Sequence, residues 1–242
     1  MIKSHIKNAI GWIEIDRTKQ KNALSIALLQ KLLSSLQQLD EDKLVRVILI
    51  HGKENFSSGG DINDMQIDNE QEAIELAKKV QNIFSNITKI SKPIIAYTKG
   101  LVFGGGLELA LVCDIIISHS NANFSLPEAR LGIVPGGGAT QRLKGAIGKQ
   151  NAAYMLFTAK QFSAQWMLSH NLVQEITDDI SRVESIAMRI SEQNPNAIKA
   201  LKQLLQKNMD FEAESNSFAE LLMNDGNRGV KSFIEKNQFP KW

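Results

Sequence analysis

Apolar residues recur along this chain with two different spacings. Leu24, Leu28, Leu32, Leu36 and Leu39 follow one another at helical intervals and predict an amphipathic helix over Ser25–Leu39. Ala73, Ala77, Val80, Phe84 and Ile87 repeat the pattern and predict a second helix. Around these stand short, β-branched runs: "AIGWIEID" (Ala9–Asp16), "VRVILIHG" (Val45–Gly52), "PIIAYTKG" (Pro93–Gly100) and "DIIISHS" (Asp114–Ser120), each of which reads as a strand. Strands alternating with helices imply right-handed β-α-β crossovers and a largely parallel sheet, hence an α/β fold. After Gly136 the period is helical almost throughout. "ATQRLKGAIG", "KQNAAYMLFTA", "SAQWMLSH", Ile180–Gln193, Asn196–Asn208 and Phe211–Asn224 follow in succession, with Ser163 as an N-cap and Asn171 as a left-handed C′ residue. No linker rich in proline, glycine or serine divides the two parts.

Composition narrows the function more than the fold. The 242 residues carry 28 basic and 26 acidic side chains, a net charge of +2, with no block of one sign. This argues against a nucleic-acid partner. No run of apolar residues is long enough for a membrane span, and the N-terminus has no signal-peptide pattern. The single cysteine, Cys113, excludes an internal disulfide, reads as core, and favours a reducing, cytoplasmic setting. The histidines, His5, His51, His119 and His170, read as surface or loop positions; they show no metal-ligand spacing, so no metal site is expected. There is no nucleophile elbow and no Walker loop, and Leu109 stands where a dinucleotide fingerprint would place its third glycine.

What remains are two glycine clusters and two acids. Gly59–Gly60 and Gly104–Gly106 each follow a predicted strand, at the carboxyl edge of the sheet where ligands bind. Glycine lets a backbone N–H approach a ligand closely, and a helix start adds unpaired N–H groups. Two such loops can aim two donors at one developing oxyanion. Glu108 falls in the first turn of the helix after "GGG", where the dipole alone favours a carboxylate. Glu128, in "FSLPEARLG", would by default be a loop glutamate. Spacing leaves open whether the two converge.

"NFSSGGDINDM", "KGLVFGGGLELALVCDI", "FSLPEARLGIVPGGGATQRL" and "RTKQKNAL" together resemble, in order and spacing, the motifs of the crotonase superfamily, the enoyl-CoA hydratase/isomerase group. The resemblance implies a crotonase-like spiral of β-β-α units over residues 1–180 and a C-terminal helical trimerisation region over 181–242. It implies a homotrimer or dimer of trimers. It assigns the Gly60 and Gly105 N–H groups to a thioester carbonyl, and Glu108 and Glu128 to catalysis. It sets Lys21, Ala23, Ser58, Asp61, Ile62, Gly104, Pro127 and Leu131 along the acyl-CoA. Coenzyme A is then part of the substrate and no separate cofactor is needed. Glutamate at both positions is typical of hydratases, which convert a trans-2-enoyl-CoA to a 3-hydroxyacyl-CoA. The alternatives are a Δ3,Δ2-enoyl-CoA isomerase, another reaction of this superfamily on a CoA or acyl-carrier-protein thioester, and a non-catalytic relative. The chain departs from the motifs at Thr18, where proline is usual, at Lys99 in place of asparagine, and at Asn63 in place of lysine. Residues from Met65 to Phe84, with the C-terminal helices, are expected to shape the acyl pocket.

Overall fold

The computed structural model describes residues 1–236 and 238–242. Among the described residues, nine strands form two sheets. The larger has the order β1 (Ile2–Lys7), β2 (Ile10–Ile15), β3 (Val47–Gly52), β4 (Ile94–Thr98), β6 (Ile115–Ser118) and β9 (Glu175–Ile176). All its neighbours run parallel except β1 and β2. The smaller joins β5 (Leu101–Phe103), β7 (Asn123–Ser125) and β8 (Phe162–Ser163).

Both faces of the large sheet are covered at its inner strands, which is why β3 and β4 read as continuous apolar runs and not as alternations. Ile48 and Ile50 face the main core, while Val47 and Leu49 face a second cluster with Trp12 and Tyr97. On the first face lie α1 (Ile26–Glu41), α2 (Glu70–Thr88) and α3 (Gly105–Leu111). Ser25 caps α1, its hydroxyl accepting from Leu28 N, and the predicted leucine stripe is buried. On the other face lies α7 (Ile180–Ser191), through Val183 and Ala187. The strand expected at Ala9–Asp16 forms as β2, and a further strand that was not expected, β1, precedes it. Asn8 and Ala9 adopt left-handed φ of 52° and 60° and turn β1 back antiparallel on β2. Strand β1 is an exposed edge carrying Lys3, His5 and Lys7, the kind of charged edge that discourages further pairing.

The chain winds as a spiral whose coils repeat one sequence of events: a long strand in the large sheet, a short extended segment in the small one, then a helix. After β3 the extended segment is Ser57–Gly60; after β4 it is β5; after β6 it is β7. Ser57 N donates to Leu101 O (2.9 Å) and Phe103 N to Ser57 O (3.0 Å), so the second and third coils run side by side. Phe103 pairs in turn with Ser125 of the fourth. Isolated bridges from Leu24 to Gly60 and from Ser57 to Val102 extend the small sheet to the first coil.

The remaining helices are α4 (Ala139–Ile147), α5 (Lys149–Thr158), α6 (Ala164–Ser169), α8 (Pro195–Leu205), α9 (Phe211–Leu221) and α10 (Asn227–Lys236), with a π-helical turn, Leu222–Gly226, joining the last two. Ser163 caps α6, accepting from Trp166 N, and Asn171 has φ 66° just beyond its end. Helix α8 docks through an ion pair whose lysine is buried. Lys202, 7% exposed, donates to Asp114 Oδ2 (2.7 Å) and to Lys92 O (2.9 Å). Helix α9 buries no side chain, and Leu205, Phe211, Phe218 and Met223 are all more than half exposed. Three histidines lie where expected, His5 exposed on the surface and His119 and His170 outside the strands and helices. His51 does not: it sits in β3, half-buried beside Trp12, where burial holds its imidazole below the usual range. Cys113 packs against the core and burial pushes its thiol up. No described helix is long and apolar enough to cross a membrane.

Candidate active site

The parallel course of the coils decides what meets at their ends. Three neighbouring segments of the small sheet leave it at the same edge, and each leads into a candidate residue. The second coil runs into Gly59–Gly60, the third into Gly104–Gly105, and the fourth through Leu126 and Pro127 into Glu128.

In both glycine loops the first glycine turns and the second presents its N–H. Gly59 has φ 113° and Gly104 has φ 47° with ψ −122°, conformations that a side chain would strain. Gly60 and Gly105 follow them with no intramolecular acceptor for their N–H groups among the described residues. The two loops touch: a Cβ built on Gly105 would lie 3.2 Å from Gly60 N, and one on Gly104 would lie 2.8 Å from Glu128 Oε1. Gly105 also opens α3, so its N–H belongs to the unpaired, partly positive first turn.

Glu108 lies one turn further along α3, 4% exposed. Its Oε1 accepts from Gly137 N (2.8 Å) and Ala139 N (2.9 Å), which fixes the carboxyl and leaves Oε2 for other contacts. Burial raises its pKa, and these N–H groups oppose the rise. Gly137 must be glycine, since a Cβ there would meet Phe84 at 2.6 Å and Glu108 Oε2 at 2.7 Å. The turn "PGGGAT" is therefore the seat of Glu108, a role its sequence did not reveal. Glu128 is half-buried, and its Oε2 has no hydrogen-bond partner among the described residues. Burial first, and the neighbouring Glu108 charge second, push its pKa up to about 7.

All four groups line one cavity of about 630 Å³, with Ser58, Ile62, Gly104, Pro127 and Leu131 also in its wall. Lys21, Ala23 and Asp61 do not line it. Their atoms hold the first glycine loop from behind. Lys21 O accepts from Ser58 N (2.9 Å), and Ala23 O accepts from Arg17 Nη1 (3.0 Å). The buried Asp61 carboxylate pairs with the Arg17 guanidinium, which, with Asn63, keeps its pKa below the usual range. Asn63 bonds Asp61 Oδ1 through both its backbone N–H (3.1 Å) and its side chain (2.8 Å), so the residue standing in place of a lysine braces this loop. Lys99 serves through its carbonyl, which accepts from Phe56 N (2.7 Å), a bond indifferent to the side chain. Arg17 opens the "RTKQKNAL" motif, but sequence reasoning gave it no role of its own.

The raised pKa of Glu128 makes stability depend on pH. Native Glu128 keeps its proton to about 7, whereas an unfolded chain releases it near about 4.3. Between these values the native state binds more protons than the unfolded one, so this contribution is present at low pH and is lost as pH rises. Glu128→Gln should melt higher than the parent at pH 8 and show no such gain at pH 4. Melting curves that shift equally at both values would contradict the assignment.

Residues 5–242 match the family model described as enoyl-CoA hydratase/isomerase. The chain is 33% identical over 243 residues to the mitochondrial enoyl-CoA hydratase of Pongo abelii, covering 96% of this chain and 83% of that protein. It is 30% identical over 235 residues to the 2,3-dehydroadipyl-CoA hydratase of Escherichia coli, covering 93% and 91%. A crystal structure of an enoyl-CoA hydratase from Bacillus anthracis superposes with a TM-score of 0.92 at 26% identity, covering 100% of this chain and 98% of that one. With its spiral of strands and helices, and matched over nearly its whole length, the chain belongs to the enoyl-CoA hydratase/isomerase family.

Proposed function

We propose that this protein is an enoyl-CoA hydratase that adds water across the double bond of a trans-2-enoyl-CoA to give a 3-hydroxyacyl-CoA. The observation that carries the reading is the convergence, on one cavity, of two unpaired glycine N–H groups and two glutamates, Glu108 buried and Glu128 half-buried, delivered by successive coils. The Gly60 and Gly105 N–H groups bind the thioester oxygen and stabilise the enolate charge that collects on it as the β-carbon is attacked. Glu108, oriented by Gly137 and Ala139, holds the water and takes its proton as the oxygen bonds to Cβ. Glu128, whose pKa of about 7 leaves about half of it protonated at neutral pH, delivers a proton to Cα. Proton exchange through the open cavity then resets the pair. Phosphate-bearing coenzyme A enters as part of the substrate, and the chemistry assigned to these residues calls on no further cofactor.

The test is spectroscopic. Mixing the protein with crotonyl-CoA and longer 2-enoyl-CoAs should bleach the enoyl-thioester absorbance, with 3-hydroxyacyl-CoA as the product. An unchanged spectrum at every chain length would sink the hydratase reading.

We also propose that the molecule is a homo-oligomer, a trimer or a dimer of trimers. Support comes from α9 and its flanks, whose large apolar side chains Leu205, Phe211, Phe218 and Met223 are more than half exposed within the described chain. Light scattering should return a multiple of the 26.9 kDa chain mass; a stable monomer would refute this.

A further inference from the structure

The cavity does not end at the glutamates. Phe84 stands beside Gly137 and Glu108, and from it the wall continues along α2 toward that helix's N-terminus. Helix α2 has a continuous apolar face, yet only its C-terminal end, Ile83, Phe84 and Ile87, is buried. Val80, Ala77, Leu76 and Ala73 extend the same face, and within the chain they are half-buried or exposed. Every one of these four lines the cavity. The wall is also kept clear. Ala73 and Ala77 are small residues one turn apart, and opposite Ala77 stands Gly136, where even a built Cβ would only reach 4.0 Å from the Ala77 methyl.

Charge is distributed just as unevenly. Among the described residues no lysine, arginine or histidine lines the cavity. Its charged members are all acids: Glu108 and Glu128 at the reacting end, Asp68 and Glu70 where α2 begins. The α2 N-terminus is a partly positive helix end, but Asn69 caps it through Glu72 N and its first turn already carries Glu70 and Glu72. Arg142 sits behind the cavity wall, donating to Gly137 O (2.9 Å). A carboxylate travelling with the acyl chain would therefore be desolvated against apolar side chains with no cation to meet it, or brought up to like charges.

We propose, resting on the hydratase reading, that the substrate class is the unsubstituted hydrocarbon 2-enoyl-CoA of medium chain length, and that acyl chains ending in a carboxylate are excluded. The tail beyond Cβ lies on the α2 face from Val80 to Ala73 and completes its burial.

Binding reads this directly, without any reaction. Saturated butanoyl-, hexanoyl- and octanoyl-CoA, and the six-carbon acyl-CoA with a terminal carboxylate, are titrated into the whole protein by calorimetry. Each added methylene buried on this wall should tighten Kd by roughly fourfold, and the carboxylate should weaken it by about tenfold or more relative to hexanoyl-CoA. Ala77→Phe fills the wall opposite Gly136 and should cut the octanoyl-to-butanoyl preference by about tenfold. Butanoyl-CoA binding as tightly as octanoyl-CoA, or the carboxylated chain matching hexanoyl-CoA, would overturn the proposal. So would an Ala77→Phe protein that melts like the parent and keeps its preference. The hydration assay with the matching 2-enoyl-CoAs separates the two readings. Hydration with a flat or inverted chain-length order leaves the reaction standing and removes this substrate class. Graded binding without hydration keeps the acyl wall and removes the reaction.

Discussion

Replacing Gly105 by proline should leave a folded protein whose hydration rate is lowered by about 10²–10³-fold, the usual loss when one oxyanion donor is removed. The position makes the experiment clean. Gly105 is the first residue of α3, where proline's fixed φ is accommodated and no intrahelical hydrogen bond is lost. What proline deletes is the N–H itself. Alanine at the same position keeps the N–H but sets a methyl 3.2 Å from Gly60 N, between the two donors. Gly105→Ala should therefore also lose activity, by less than proline does, and through weaker placement of the thioester oxygen. A proline variant that melts near the parent temperature and hydrates crotonyl-CoA at the parent rate would remove Gly105 from the oxyanion site. The expected order, parent above alanine above proline, also separates donor loss from crowding, because crowding alone would leave the two variants alike.

The same loop shows what could be read from residues alone. Helices α1 and α2 were legible because sixteen and nineteen residues give an apolar period room to declare itself. Strands β5 and β7, three residues each, and β8 and β9, two each, are too short for any period. Yet these fragments make the spiral. The bonds from Ser57 to Leu101 and Phe103, and the register of Phe103 with Ser125, join segments from separate coils. Local pattern carries no trace of such pairings, so the residues suggested a plain parallel sheet and only the motif resemblance suggested a spiral. Strand β1 was missed for a different reason. It is an edge strand with one buried residue, and its four polar residues out of six read as surface.

The candidate site divides along the same line. Glycines and acids standing next to a helix start announce themselves, because backbone approach and helix dipoles are local effects. Their convergence is not local. Glu128 is brought to Gly104 by strand pairing, and Glu108 is seated by a turn 29 residues away. Asp61 illustrates the opposite error. An acid beside a functional glycine looked like a ligand contact, whereas its carboxylate faces Arg17, 44 residues earlier, and braces the loop. Only the fold tells an acid that meets the substrate from one that holds the backbone meeting it.

Glutamine at either catalytic position should lower hydration by roughly 10²–10⁴-fold, the range for one general acid or base. Glutamine preserves shape but cannot exchange the proton. For Glu108 the seat survives in part, since an amide oxygen can still accept from Gly137 and Ala139. For Glu128 no hydrogen bond holds the buried Oε2, so the amide costs no partner there and removes only the exchangeable proton. The two losses should not multiply. In the proposed mechanism both carboxyls act on one water and one enolate, and the Glu108 charge helps to raise the Glu128 pKa, so the Glu108→Gln/Glu128→Gln double variant should fall short of the product of the singles. Removing Glu128 should also erase the alkaline fall of kcat/KM that its pKa of about 7 sets, because the donor must be protonated to deliver to Cα. Isomerisation of a 3-enoyl-CoA makes the contrast. A single base suffices there, so an isomerase would be disabled by Glu128→Gln and would keep most of its turnover in Glu108→Gln. Measuring both reactions on the four proteins decides between the mechanisms. A Glu108→Gln protein that hydrates crotonyl-CoA and longer enoyl-CoAs at the parent rate would exclude the two-carboxylate mechanism. Full hydration by a folded Glu128→Gln protein would remove Glu128 as the proton donor, and with it the reason for burying a carboxyl beside Gly104 at this edge of the sheet.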